Sequence, residues 1–134
     1  MGYKFGTAVL IVGVLFCLLT TWSSGARPES FAERLGLQIV NAGGVNEIRA
    51  QYAGFFLAVA IICAASLAGL LSRQASFVVL GTVFGGLLAG RLASLAFNGG
   101  TAGYGPTILA LYAIDAIGLA LVVAAFVLDN PGKV

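Results

Sequence analysis

The chain has 134 residues, 60% of them hydrophobic and 9% charged, with 19 glycines, a net charge of +2 and a mean hydropathy of +1.03. A soluble domain carries about 25% charged residues, so these values exclude a water-soluble monomer. The sequence has no histidine, and its two cysteines, Cys17 and Cys63, stand inside apolar runs as small packing residues, so no metal site and no cofactor is expected.

Four bilayer crossings of ~20 residues each would use ~80 residues and leave roughly 50 for ends and loops, so residues 1–134 make one small transmembrane domain. The first apolar run, Phe5–Trp22, follows Lys4. A positive start, a short apolar core and the small residues Ser23, Ser24, Gly25 and Ala26 also fit a secretory signal peptide. With Met1 still heading the chain, a retained helix over about 5–22 is expected. Gln51–Leu71, Phe77–Phe97 and Ile108–Leu128 are the other three runs. None shows the period-2 alternation of a lipid-facing β-barrel strand, so the fold class is all-α, an integral membrane four-helix bundle. The spans fall at about 49–71, 76–97 and 106–128 for the second to fourth helices. Ser72–Ser76 is a tight polar turn that makes the second and third helices antiparallel neighbours, and Asn98–Pro106, with four glycines and a proline, stops the third and opens the fourth.

The longest connection, Ser23–Ile48, holds Arg27, Glu29, Glu33, Arg34 and Glu47. Ser30 and Glu33 match a capping box, Pro28 lies just upstream, and Phe31, Leu35 and Ile39 follow at helical spacing. A short amphipathic helix at the membrane surface, about 30–40, is expected, with a loop packed over the bundle as the alternative. With the amino terminus inside, Lys4, Arg73 and Lys133 face the cytoplasm, while Arg27, Arg34 and Arg49 lie on the other side. The uncharged Asn98–Pro106 loop suits the outer face, which places both termini in the cytoplasm of a bacterial inner membrane protein. Trp22 and Tyr104, at run ends, are headgroup-level anchors.

Two charges fall inside apolar runs: Arg91 in the third and Asp115 in the fourth. A charge at the bilayer centre costs about 2.5–3.5 kcal/mol on insertion scales, so an unpaired one is disfavoured. Counted inward from the Asn98–Pro106 loop they lie ~9 and ~13 Å deep, a difference an arginine side chain spans, so an interhelical ion pair or water-bridged contact is expected. Ser94 and Asn98 continue the Arg91 face, Tyr112 sits one turn from Asp115, and Asn46, Glu47, Arg49 and Tyr52 enter the second helix from the same membrane side. Glu47, Arg49, Tyr52, Arg91, Tyr112 and Asp115 are thus the candidate polar binding pocket. The plainer use of the charged pair is to fix helix packing with no ligand present. Gly81, Gly85, Gly86 and Gly90 on the third helix are candidate packing residues, and Ala60, Ala64, Ala68 and Ala116, Ala120, Ala124 form similar stripes. Those stripes serve either the interior of the bundle or another subunit.

Asn46-Glu47-Ile48-Arg49-Ala50-Gln51-Tyr52-Ala53-Gly54 resembles the start of the second helix in bacterial membrane proteins of domain-of-unknown-function family 4345, with Ala53 in place of the first of two glycines. The resemblance implies a four-helix layout over about Gly6–Leu128, with Arg91 and Asp115 matching an arginine and an acidic residue common there. More loosely, the layout is similar to DoxX-type proteins, some of which are subunits of quinone-linked oxidoreductases. Neither resemblance implies a reaction.

The function expected is that of a small non-enzymatic membrane protein, an accessory subunit packing on a larger membrane complex or a homo-oligomer. The alternative is a carrier for a small amphipathic molecule, a quinone or a lipid, held near Arg91 and Asp115. Enzymatic use of Asp115 as an acid or base is disfavoured, because pairing with Arg91 opposes the upward pKa shift it needs, and no catalytic residue set accompanies it. A proton-coupled exporter would need an acidic residue in the first helix, which has none. With no basic run, nucleic acid is not an expected partner.

Overall fold

The computed structural model describes residues 2–129; Lys133, used above for orientation, lies outside them. Five helices and no strand are found among the described residues: α1 (Gly2–Ala26), α2 (Pro28–Arg34), α3 (Ala42–Leu67), α4 (Arg73–Asn98) and α5 (Pro106–Leu128). All but α2 are long and apolar enough to cross a membrane. At 1.5 Å per residue they run from ~35 to ~39 Å, more than the ~30 Å of hydrocarbon. Large apolar side chains stand exposed along them, as Leu15 (61%), Ile61 (60%), Val78 (54%) and Ile117 (60%) show, whereas Ser24, Ser76 and Asp115 are buried. Hydrocarbon as the surrounding solvent dictates this pattern. The expected all-α class and its four spanning helices are thus present.

Element boundaries differ from the expected ones for local reasons. α1 continues to Ala26, with the buried Ser24 hydroxyl satisfied by donating back to the Thr20 carbonyl (2.7 Å), and it stops where Arg27 precedes a proline. α2 covers 28–34 in place of 30–40. Pro28 supplies its first turn, with Arg27 as N-cap, so Ser30 lies inside the helix and the capping box is not used. Gly36, at φ +74°, ends it: Gly36 N–H donates to Glu33 O and Leu37 N–H to Ala32 O. α3 begins at Ala42, seven residues before the expected 49, because the Asn41 side chain accepts from Gly44 N–H (3.2 Å). It ends at Leu67 and not at 71, since Gly69, at φ +77°, closes the same motif through Leu70 N–H to Ala65 O (2.8 Å). The turn into α4 therefore precedes the expected Ser72–Ser76, and α4 begins at Arg73 and not at 76. α5 has the expected bounds.

The chain divides into two compact units, with one boundary inside α1 after Val9 and the other between Arg73 and Gln74. In the unit that contains α5 and α4 from Gln74 onward, Phe77, Leu80, Phe84, Val122 and Ala125 form the buried apolar set. The two helices approach closely at glycines. A Cβ on Gly118 would lie 2.8 Å from the Phe84 ring, and those on Gly81 and Gly85 would meet Val122 and Leu119 at 3.6 and 3.7 Å. Gly2 abuts the Leu128 backbone so closely that no side chain fits there. In the unit Leu10–Arg73, the buried set includes Cys17, Ile48, Phe56, Val59 and Cys63, with the Phe16 and Phe56 rings edge to face at 6.2 Å.

Candidate functional site

α4 and α5 carry the polar centre. Arg91 Nε donates to Asp115 Oδ2 at 2.6 Å, and Asp115 is buried to 1% exposure. The charged pair expected from the sequence is therefore a direct contact. One turn from Asp115, the Tyr112 hydroxyl donates to the Arg91 backbone carbonyl at 2.7 Å. That bond holds α4 and α5 in register where the charges meet. Hydrocarbon makes unpaired polar groups costly, so a network made from neighbouring helices is the form in which these residue types persist there.

Above the pair, toward the 99–105 loop, a second cluster forms. Tyr104 Oη lies 3.1 Å from Ser94 Oγ and accepts from Asn98 Nδ2 at 3.1 Å, and its ring stacks on Tyr112 at 6.3 Å. Hydrogen bonding to Ser94 and then to Asn98 holds the Tyr104 phenol below the usual tyrosine range. The loop that delivers Tyr104 turns through Gly99, Gly100 and Gly103, all at positive φ. Tyr104 was expected only as a headgroup anchor. Its place beside Ser94 and Asn98 depends on the path of a glycine-rich loop, for which periodicity carries no signal.

Glu47, Arg49 and Tyr52 belong to the other unit, around a feature with no sequence signature. The α3 ladder widens to a π turn over Arg49–Gly54. Arg49 Nε donates to the Gly25 carbonyl (3.2 Å), capping the last turn of α1, and the Tyr52 ring packs on Phe31 of α2 at 4.9 Å. The Thr21 hydroxyl donates to the Ala53 carbonyl within the re-registered stretch (3.1 Å). Glu47 is exposed. Of the six candidate pocket residues, the structure thus joins Arg91, Tyr112 and Asp115 by hydrogen bonds and gives Arg49 and Tyr52 partners on α1 and α2.

The candidate packing glycines divide in the same way. Gly81 and Gly85 face α5, whereas Gly86 and Gly90 are exposed with nothing within 4 Å of a Cβ built on them. Among the described residues, no group of three or more His, Cys, Asp or Glu side chains is placed to hold a metal ion. Compared with known proteins, the chain matches no family model, no curated protein and no solved structure.

Proposed function

We propose that this is a small non-enzymatic protein of the bacterial inner membrane, with both termini in the cytoplasm, that serves as an accessory subunit of a larger membrane complex. The observation that carries this reading is the division of the α4 glycines. Gly81 and Gly85 serve the contact with α5, while Gly86 and Gly90 leave a bare backbone strip on an exposed face. Between helices in lipid, close backbone approach at small residues replaces the hydrophobic drive that water would supply. The Asn46–Gly54 motif supports membership of the domain-of-unknown-function 4345 group on its residues alone.

The test is a Gly86→Leu/Gly90→Leu variant compared with wild type in mild detergent after light crosslinking. The expected result is a hetero-complex larger than the monomer for wild type, lost in a variant that keeps its helical circular dichroism. Wild type found only as a monomer or homo-oligomer overturns the reading.

A second reading, a carrier for a small amphipathic molecule, is favoured by one observation. Arg91, although paired, keeps 21% of its side chain exposed on a membrane-spanning helix.

A further inference from the structure

Arg91 meets Asp115 through Nε. A carboxylate met in that way uses at most the Nε hydrogen and one on Nη2. The two N–H groups of Nη1 have no acceptor among the described residues. Arg91 lies seven residues inside the end of α4, a depth of ~10 Å. Donors left open at that depth are costly unless something other than water accepts from them.

Along the same two helices runs an apolar groove of about 640 Å³. It begins at Leu88, three residues before Arg91, and at Ala116, next to Asp115, and continues past Leu119, Ala120 and Val123 to Leu128. That is ~18 Å of α5. The Arg91–Asp115 pair thus adjoins the Leu88–Ala116 end of the groove along both helices, and N–H donors beside such an end are the complement of an amphipathic molecule with an acceptor at its head.

The charge of the site narrows the class. Arg91 and Asp115 cancel, so an anionic head would bring an uncompensated charge close to a buried carboxylate. A carbonyl oxygen needs only the free donors. We propose that the α4–α5 groove holds the chain of a neutral single-chain lipid whose head carbonyl accepts from Arg91 Nη1. This inference rests on the carrier reading above and specifies its ligand class and site.

Native mass spectrometry of the detergent-purified full chain, titrated with monopalmitoylglycerol, palmitate or hexadecane, tests it. The expected result is one monopalmitoylglycerol per chain, bound at least tenfold more tightly than palmitate or hexadecane. That binding should fall at least tenfold in Arg91→Leu and in Ala120→Phe, which fills the groove without touching the charged pair. Where Arg91→Leu does not fold, Ala120→Phe carries the test. Preference for palmitate, or monopalmitoylglycerol binding indifferent to Ala120→Phe, overturns the inference while leaving an amphiphile-binding protein. Retention of none of the three probes overturns both the inference and the carrier reading.

Discussion

Asp115 is a buried carboxylate on an apolar helix, and Arg91 is the cation that opposes it at 2.6 Å. Removing one partner of a buried pair leaves an uncompensated charge, whereas replacing both leaves none. Asp115→Leu should therefore lower stability by ~3–5 kcal/mol, and Arg91→Leu/Asp115→Leu should recover most of that loss, as read from unfolding in detergent. Equal losses in the single and double variants would show that the two side chains are not coupled. Tyr104 yields a prediction in pH. Its phenol is held down by Ser94 and Asn98 in the folded chain, against a value of about 10 when unfolded. Ionisation of Tyr104 therefore favours folding above that unfolded value, and the contribution fades as the pH falls through the folded one, leaving nothing at neutrality. An ultraviolet titration should show one tyrosine ionising ahead of the others, and Ser94→Ala should move it back upward. At this scale the sequence exposed Arg91 and Asp115 because charges in apolar runs are conspicuous. It did not expose Tyr104, because an aromatic at a run end reads as an ordinary anchor wherever its hydroxyl points.

Helix ends in this protein are set by single residues. Gly36 and Gly69 occupy left-handed positions in which N–H groups of the next residues close back on the last turns of α2 and α3. Gly69→Ala should cost ~1–2 kcal/mol, the penalty of a Cβ in that conformation, whereas Gly86→Ala, with open space around it, should cost nothing measurable. Thermal unfolding of the two variants side by side checks both. The π turn of α3 is tied to α1 by the Thr21 hydroxyl on the Ala53 carbonyl. Thr21→Val keeps the shape and removes the bond, with an expected loss of ~0.6–1.7 kcal/mol. Hydrogen exchange should show that loss first at residues 49–54; protection unchanged there would mean that the tie does not hold the turn. The existence of α1, α3, α4 and α5 was legible, since each is an apolar run of membrane length. The π turn was not, because inserting one residue into a helical ladder leaves composition and hydropathy unchanged.

For the molecule as a whole, four helices are long and apolar enough to cross the bilayer, and the proposed topology has both termini on its cytoplasmic side. Reporter fusions at the two ends should give the same cytoplasmic signal, and opposite signals would mean that one helix does not cross. The sequence by itself determined the membrane class, the number of spans and the two charges that must be paired, because a bilayer imposes length and apolarity on each segment separately. Which groups meet was decided only by tertiary structure. Arg91 reaches Asp115 because α4 and α5 approach at Gly81, Gly85 and Gly118, and Tyr104 joins Ser94 and Asn98 because three glycines turn its loop. The same packing uses Gly81 and Gly85 while leaving Gly86 and Gly90 bare. All four glycines are alike in sequence, and the rotation of α4 against its neighbour is a property of two surfaces that neither segment carries alone.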